Sequence, residues 1–562
     1  MRVLGIHDGH NASVCLIENG RIKFAIQEER LVNQKNKSGF PNKALQKTLD
    51  YCGISINDVD KVALASTHNS AEFATGEYFK KHKKSSTRRA VEGVGMKTPL
   101  YSIYKKRRRQ ERLQPLLDLG INSDAIYFVE HHLAHAATAY YGSNFPRNEK
   151  ILVLTNDGAG DGLCATVSLG QNGELQRIAE VDSSHSLAGI YCLTTKMLGF
   201  KPLEHEYKLM GMAPYCSEYG TKLGYEVFKD IVKTVPPFHF ERTTTEPISQ
   251  VMPLLLKRSK FVRFDSICAG LQKFTEETLV EWVKNCMKET GTSKIALAGG
   301  IFMNVKANQK VMELPEVEDI FIFPSCGDET VSIGAAFHVF QKYSEEEIHP
   351  LDHFYLGDTF SDDDALKSIN EFMGSFEFSF KKVENIEKEV GKLIAENHVV
   401  ARCKGRMEFG ARALGNRSIL ANPANLDCVR KINMMVKKRD FWMPFAPVMK
   451  KDRAHEYVQN PKNVDAPYMI LTFNTTDKFQ ELIAAVQQAD LTARPQMITK
   501  EMNNRYYAIL EEFENLTGRG VLLNTSFNLH GLPIVHGPKE AIEVFRDSGL
   551  NYLALGNYLL EK

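Results

Sequence analysis

Apolar runs and turn residues follow one another in the same order at two places in the N-terminal half of the chain. The first copy has an apolar run at 2–7, a polar turn that begins with Asp8, and two further runs separated by Asn19-Gly20. The second copy spans 151–178, has Asp157 at the start of its turn and also contains an Asn-Gly pair. Asn-Gly between two apolar runs is a strong hairpin signal. The repetition predicts a duplicated α/β domain in which the two turns face each other across a nucleotide cleft.

The C-terminal part of the chain predicts a second α/β domain. A long helical pattern is followed at 344–364 by a polar stretch rich in turn residues. Beyond it the pattern alternates between helical and strand periods and ends in short apolar runs such as 520–523. We therefore predict two domains, at 1–345 and 355–562.

The bulk composition indicates the class of protein and its cellular compartment. The 562 residues are 43% apolar and 25% charged, which is typical of globular domains, and a net charge of +1 gives no global field for nucleic acid or membrane. No apolar run approaches about eighteen residues, and the first residues enter a charged turn without a leader-like segment. The ten cysteines are scattered singly, as is typical of reduced thiols. We expect a cytoplasmic enzyme that does not span a membrane.

A strongly basic stretch lies between the two copies of the repeat. Residues 80–112 contain thirteen lysines and arginines against two glutamates, with few aromatic side chains among them. A charge run of this kind is most often a solvated surface. We interpret it as an insertion that faces solvent or another subunit and do not expect nucleic acid as a partner, although an RNA contact is the alternative.

Two histidines on one predicted helix form the first chemical constellation. His131 and His135 are four residues apart, so their imidazoles lie on one helix face. Taken alone the pair is weak evidence, because 17 histidines produce some close pairs by chance. Asp157 and Asp328 add carboxylates, each at a turn after an apolar strand. Two imidazoles and one or two carboxylates with open positions suit iron(II), manganese or zinc.

Two glycine-containing segments are candidates for anion binding. Gly299-Gly300 follows an apolar run, where backbone amides can approach a phosphate or a ribose, although a structural turn is equally compatible. Residues 405–418 hold three arginines and three glycines. This composition is unsuited to a buried core element and well suited to binding an anion. Exposed charge on helix faces does not explain why these arginines alternate with glycines.

These segments together resemble the O-carbamoyltransferase family, which includes NodU and the carbamoyltransferases that act on cephalosporins and tobramycin. The matching segments cover nearly the whole chain in order. They are Asp8-Gly-His-Asn-Ala-Ser, His131-xxx-His135, Glu206-Tyr-Lys-Leu-Met-Gly-Met-Ala-Pro, Ala298-Gly-Gly-Ile-Phe-Met-Asn, Cys326-Gly-Asp-Glu, the 405–418 segment, Pro444-Phe-Ala-Pro and Asn524-Thr-Ser-Phe-Asn.

The resemblance implies two folds and a reaction. The N-terminal domain is expected to be an actin-like ATPase domain related to the tRNA threonylcarbamoyl transferase, and the C-terminal domain to be YrdC/Sua5-like. In the family, the C-terminal domain makes carbamoyl-adenylate from carbamoyl phosphate and ATP, and the N-terminal domain transfers the carbamoyl group to a hydroxyl of a small molecule. The expected cofactors are ATP and a divalent metal, Fe(II) by resemblance. The expected partners are carbamoyl phosphate and a natural product, sugar or oligosaccharide, with a homodimer left open.

The family's site residues carry over onto matching positions of this sequence. The metal ligands correspond to His131, His135, Asp157 and Asp328, and the catalytic residues to His10, His131 and Asp157. The binding residues correspond to Gly300 and Asn304 for carbamoyl-adenylate, and to Arg412, Lys437, Arg494, Asn524 and Ser526 for ATP and carbamoyl phosphate. One departure is Met443, where many relatives carry arginine. Lys438 or Arg439 is a candidate to supply the cation instead.

Three alternatives remain. Carbamoylation of a protein cysteine, as in hydrogenase maturation, is disfavoured because this sequence has neither an acylphosphatase region nor zinc-finger cysteine pairs. Threonylcarbamoyl transfer to tRNA would use the same two folds, and only the basic stretch favours it. A non-catalytic nucleotide-binding assembly module would have no chemical need for His131, Asp328 or Arg412.

Overall fold

The computed structural model describes residues 1–67, 99–437 and 439–562, with side chains given for all of these except 99–105. Its first sheet has the strand order β3-β2-β1-β4-β5. Strands β1 to β3 form an antiparallel meander, and β4 and β5 run parallel to β1. The strands are β1 (Arg2–His7), β2 (Ser13–Glu18), β3 (Arg21–Gln27), β4 (Lys61–Ala65) and β5 (Ile126–Val129).

The second sheet repeats this topology. Its order is β12-β11-β6-β7-β8, again an antiparallel meander followed by two parallel strands. The duplicated arrangement confirms the predicted α/β fold class and the predicted duplication in the N-terminal half. The strands are β6 (Ile151–Gly160), β7 (Leu163–Gln171), β8 (Glu174–Asp182), the separate hairpin β9 (Val232–Val235) and β10 (His239–Arg242), β11 (Lys294–Ala298) and β12 (Asp319–Ile322).

The C-terminal part forms a mixed sheet of eight strands. Their order is β13-β22-β21-β14-β15-β20-β16-β19, and β17 pairs with β18 in a separate ribbon. The strands are β13 (Ser379–Lys382), β14 (Val400–Cys403), β15 (Arg417–Ala421), β16 (Ala446–Lys450), β17 (Phe473–Asn474), β18 (Thr492–Ala493), β19 (Gln496–Ile498), β20 (Val521–Ser526), β21 (Tyr552–Leu555) and β22 (Tyr558–Glu561).

Helices cover the faces of all three sheets. The described α-helices are α1 (Glu28–Val32), α2 (Asn42–Cys52), α3 (Pro99–Asp118), α4 (His131–Gly142), α5 (Leu187–Met197), α6 (Glu206–Met212), α7 (Glu218–Phe228), α8 (Met252–Arg258), α9 (Phe264–Thr290), α10 (Val305–Met312), α11 (Val331–Tyr343), α12 (Asp362–Phe372), α13 (Ile386–Ala395), α14 (Asp427–Ile432), α15 (Asn504–Thr517) and α16 (Pro538–Arg546). Short 3-10 segments include Gly300–Met303 and Asp328–Thr330, and Asn433–Lys437 is a π-helix.

Helices α4 and α11 pack together between the two N-terminal sheets. A Cβ atom at Gly334 would overlap the carbonyl oxygen of Ala134, so only glycine permits this approach of the two helices. Similarly, a Cβ at Gly5 in β1 would overlap the carbonyl oxygen of Ser332. The contact fixes the first turn of α4, which carries His131, beside the start of α11, which follows Asp328.

The segment that joins the two halves is hydrogen-bonded to both of them. Residues 344–361 form no helix or strand. The amide of Ala25 donates to the Leu356 carbonyl at 3.0 Å, and the amide of Gly357 donates to the Met407 carbonyl at 2.9 Å. The domain boundary between 345 and 355 stays a prediction, but this segment holds the halves side by side.

Two expectations concern the chain as a whole. All ten cysteines are free thiols. Among the described helices, none has both the length and the apolar character needed to cross a bilayer.

Candidate active site

The first turn of α4 presents the two predicted histidines. Glu130 caps the helix, because its carboxylate accepts hydrogen bonds from the amides of His132 at 3.0 Å and Leu133 at 2.8 Å. His131 and His135 then lie one turn apart on the same face, and both are buried. The cap therefore sets where the helix begins and which face carries the imidazoles.

Asp157 and Asp328 meet this face from two other elements. One ligand atom from each of His131, His135, Asp157 and Asp328 lies within 4.8 Å of the others. His131 Nε2 is 3.1 Å from Asp157 Oδ2 and 3.7 Å from Asp328 Oδ1. His135 Nε2 is 3.9 Å and 3.7 Å from the same two oxygens. The structure thus brings together the four residues predicted as metal ligands.

The chemistry of His135 fits a metal ion at this cluster. Its side chain is fully buried, and neither ring nitrogen has a hydrogen-bond partner among the described residues. Buried polar atoms are normally satisfied, and the distances from Nε2 to the carboxylates are too long for a hydrogen bond. A cation between the four side chains would satisfy the nitrogen and both oxygens. Two imidazoles with two carboxylates suit iron(II), manganese or zinc.

Neighbouring groups orient the first histidine and the first aspartate. The Ser66 hydroxyl lies 3.1 Å from His131 Nδ1, so Nε2 is the nitrogen that faces the cluster. The Gly300 amide donates to Asp157 Oδ1 at 3.0 Å, and a Cβ at Gly300 would lie 2.6 Å from that oxygen. Gly300, predicted to bind carbamoyl-adenylate, therefore also touches a predicted metal ligand.

The electrostatics of the cluster favour an ion pair between His131 and Asp157. Burial alone would lower the pKa of His131, but the hydrogen bond to Asp157 and the charge of Asp328 raise it. Burial alone would raise the pKa of Asp157, but the hydrogen bond from His131 and the charge of His135 hold it well below its usual range. Both carboxylates and imidazoles are thus close enough to exchange a proton or to share a cation.

The first turn lies against this cluster. His10 is half-buried, and its carbonyl oxygen lies 3.0 Å from Nε2 of the buried His7. Asn11 donates to the carboxylate of Glu329, next to Asp328, at 3.0 Å. Burial lowers the pKa of His7 to about 4, and Asp328 and Asp8 oppose the shift. Sequence reasoning missed His7, because the residue reads as the end of a buried strand.

Asn304 occupies the start of α10 rather than an open surface. Its side-chain oxygen accepts from the amide of Ala307 at 3.1 Å and from Gln272 at 2.9 Å, and its amide donates to Gln272 at 3.0 Å. These bonds fix the Gly300–Met303 turn beside Asp157. The assignment of Asn304 to carbamoyl-adenylate binding stays a prediction.

A second constellation lies in the C-terminal half and consists of cations. Arg412, Lys437, Arg439 and Arg494 form what we call the cationic pocket. Burial lowers the pKa of Arg412 to about 10, and burial together with the charges of Arg412 and Arg439 lowers that of Arg494. None of the four makes an ion pair with a carboxylate in the described part of the chain. Lys437 is buried and the three arginines are half-buried, and cations without a carboxylate partner in such a position indicate a site for an anion.

The other residues predicted for ATP and carbamoyl phosphate contact Lys437 or the loop that carries Arg412. Lys437 Nζ donates to Ser526 Oγ at 3.0 Å and to Asn528 Oδ1 at 2.5 Å, so only neutral oxygens surround it. The Asn524 amide donates to the Ala413 carbonyl at 3.0 Å and supports the loop that carries Arg412. The structure thus brings Arg412, Lys437, Arg494, Asn524 and Ser526 together.

Arg439, a candidate to supply the cation that the resemblance implies at position 443, lies in this pocket. Its guanidinium donates to Thr525 Oγ1 at 3.2 Å and stacks over Phe445 at 5.1 Å. Met443 instead packs with its sulfur against Gly211 of α6. Lys438, the other residue considered, lies outside the described residues.

The basic stretch requires one correction. Residues 80–98 lie outside the described residues, whereas Lys106 and Arg107 on α3 are exposed, as expected. Arg112, however, is buried and makes a bidentate ion pair with Asp8 at 2.7 and 2.8 Å. It also donates to the Ser66 carbonyl at 2.6 Å. Arg112 therefore supports the first turn and is not part of a solvated surface.

Two family profiles match the chain. The profile described as Carbamoyltransferase N-terminus matches residues 2–337, and that described as Carbamoyltransferase C-terminus matches residues 391–562. The chain belongs to the carbamoyltransferase family.

Full-length relatives agree with this assignment. An uncharacterized protein of Methanocaldococcus jannaschii is 31% identical to this carbamoyltransferase, and the match covers 100% of this chain and 99% of the relative. Nodulation protein NolNO of Sinorhizobium fredii is 29% identical over 98% of this chain and 79% of the relative. Nodulation protein U of the same organism is 26% identical, covering 94% of each chain.

Two solved structures show a distant likeness to this chain. The HypF protein of T. kodakarensis is 15% identical over 61% of this chain and 48% of that chain, with a TM-score of 0.34. An activator of 2-hydroxyisocaproyl-CoA dehydratase from Clostridium difficile, with bound ADPNP, is 14% identical over 61% of this chain and 95% of that chain, with a TM-score of 0.31.

Proposed function

We propose that this carbamoyltransferase makes carbamoyl-adenylate from carbamoyl phosphate and ATP and then transfers the carbamoyl group to a hydroxyl of a small molecule. The observation that carries the proposal is the presence of two chemically different sites in one chain. The cations of the cationic pocket have no carboxylate partner among the described residues, and the donor set of His131, His135, Asp157 and Asp328 suits a metal. Activation by ATP and transfer to an acceptor need two such environments.

The first half-reaction suits the cationic pocket. Carbamoyl phosphate loses its phosphate to water to give carbamate, whose oxygen attacks the α-phosphorus of ATP, and pyrophosphate leaves. Every species in this sequence is an anion. Arg412, Arg439 and Arg494 would bind phosphate oxygens bidentately, and Lys437 would act as a point charge. Because these groups are preorganised and largely shielded from water, they stabilise charge on the transferring groups.

The second half-reaction suits the N-terminal cluster. The acceptor hydroxyl attacks the carbamoyl carbon, and AMP leaves with the electrons of the broken carbon–oxygen bond. We infer that His10 takes the hydroxyl proton, because it lies in the turn beside Glu329 and Asp328. His131, His135, Asp157 and Asp328 would hold a divalent ion, Fe(II) by family resemblance, which would stabilise charge on the carbamoyl oxygen. Gly300 would keep Asp157 oriented.

Contacts between the halves favour a closed path for the intermediate. The side chains of Lys208 on α6 and Asp440 form an ion pair of 3.0 Å, and Trp442 Nε1 donates to the Lys208 carbonyl at 3.1 Å. Tyr207 of the same helix lies near enough to Arg412 and Arg439 to oppose the lowering of their pKa values by burial. Carbamoyl-adenylate formed behind these contacts between the halves is protected from hydrolysis.

Pyrophosphate release tests the proposal. The purified protein, given ATP, should release pyrophosphate only when carbamoyl phosphate is present. A screen of hydroxyl compounds by mass spectrometry should then find a product that carries one carbamoyl group. ATP consumption that does not depend on carbamoyl phosphate would contradict the proposal.

A further inference from the structure

The loop that carries Arg412 touches the loop that carries Asp328 through one side chain. The hydroxyl of Ser325 accepts a hydrogen bond from the amide of Ala411 at 2.9 Å and donates to the carboxylate of Glu329. Ser325 is only 3% exposed. The hydroxyl oxygen of Ser325 thus links Ala411, which precedes Arg412, to Glu329, which follows Asp328.

Gly410 allows the two loops to approach this closely. Its φ is +85°, and a Cβ there would lie 2.5 Å from Ser325 Cβ and 2.6 Å from Ser325 Oγ. Its amide donates to Gln27 at 3.0 Å, and its carbonyl accepts from Arg30 at 2.5 Å. The Arg412 loop is therefore held against the N-terminal half directly beside the Ser325 contact.

Glu329 continues the connection towards the reacting groups. One carboxylate oxygen faces Ser325, and the other accepts from Asn11, the residue after His10, at 3.0 Å. The Glu329 backbone carbonyl accepts from Ser13 at 2.7 Å. Three segments far apart in sequence meet at this carboxylate.

The backbone at Ser325 is itself unusual. Ser325 and Cys326 have φ values of +69° and +34°, in the left-handed region that residues with a Cβ rarely adopt. Such conformations persist where surrounding contacts hold them, and they concentrate at functional sites. Here the hydrogen bonds to Ala411 and Glu329 supply those contacts.

We infer that Ser325 is a positioning residue that couples the two half-reactions by holding the Arg412 loop and the Asp328 loop in register. The inference rests on the proposed function. When the loops are in register, carbamoyl-adenylate passes from one site to the other without meeting water. When they separate, adenylation continues, and part of the intermediate is hydrolysed to carbamate and AMP.

The coupling ratio, pyrophosphate released per carbamoylated product, tests this role. Wild-type protein should give a ratio near one. Ser325→Ala should retain pyrophosphate release, while the ratio rises by about fivefold, the factor that corresponds to one lost buried hydrogen bond. Gly410→Ala should raise the ratio as well, because its Cβ pushes the loops apart, and it decides the matter if Ser325→Ala does not fold. Ser143→Ala removes another buried serine hydroxyl, which donates to the Tyr140 carbonyl at the end of α4, and should leave the ratio unchanged.

An unchanged ratio in folded Ser325→Ala and Gly410→Ala would overturn the inference, even if both half-reactions slowed together. Failure of the proposed function would look different. In that case the wild-type protein would release no pyrophosphate that depends on carbamoyl phosphate.

Discussion

The hydroxyl of Ser66 lies 3.1 Å from Nδ1 of His131, on the side of the ring opposite the metal cluster. Ser66 follows β4 and is buried, so it fixes the orientation of the imidazole. We predict that Ser66→Ala weakens metal binding by about tenfold, a typical loss for such a partner of a ligand. Titration of the metal-free protein with Fe(II) or Mn(II) measures this, and equal affinities in variant and wild type would contradict it.

The metal itself gives the second prediction. Because His135 is buried and neither ring nitrogen has a partner in the part of the chain that the structure describes, the purified protein should hold about one divalent ion per chain. His135→Ala should lose the ion and carbamoyl transfer, because two carboxylates and one imidazole bind weakly with open positions. Elemental analysis checks the content. His338→Ala, on α11 and outside the cluster, is the matched control and should keep both. Full metal content and normal turnover in His135→Ala would exclude the cluster as the metal site.

The third prediction concerns the basic stretch. We expect that residues 80–112 do not bind nucleic acid, because few aromatic side chains are interleaved with the charges. In addition, Arg112 forms an ion pair with Asp8. Fluorescence anisotropy with RNA at two salt concentrations measures binding. Tight, steeply salt-dependent binding that disappears when 105–109 is neutralised would refute the expectation.

The fourth prediction is a dependence of stability on pH. Burial would raise the pKa of Asp358, but the hydrogen bond from His536 and the contact with Lys47 lower it to about 2. Because the folded pKa lies below the unfolded value, the stabilisation is present above about pH 4 and is lost as the pH falls towards about 2. The melting temperature should therefore fall more steeply over that range in wild type than in Asp358→Asn. An equally steep fall of the melting temperature in wild type and Asp358→Asn would contradict this.

Local patterns in the sequence predicted much of the fold. The Asn-Gly turns are local, and Asn19 and Asn172 both adopt positive φ in the structure, as their hairpins require. The pairing of His131 with His135 is also local, because helical periodicity alone places them on one face. These features depend on residues only a few positions apart.

Supporting contacts between distant segments were not predictable in this way. Ser66 is 65 residues from His131, and Ser325 is 86 residues from Ala411. A buried serine has no pattern that distinguishes it from one that merely fills a turn. Arg112 was misinterpreted for a related reason, since its charged neighbours in sequence are exposed, whereas its partner, Asp8, is 104 residues away.

The central claim is that one chain carries two separable half-reactions, and paired variants test it most directly. Arg412→Ala should reduce pyrophosphate release from ATP with carbamoyl phosphate by about a hundredfold or more, because a guanidinium on a phosphate in a shielded site contributes strongly. The same variant should still transfer the carbamoyl group when supplied with carbamoyl-adenylate. His131→Ala should retain pyrophosphate release and form no acceptor product. If both variants lost the same half-reaction and kept the other, a single shared site would replace the two-site account.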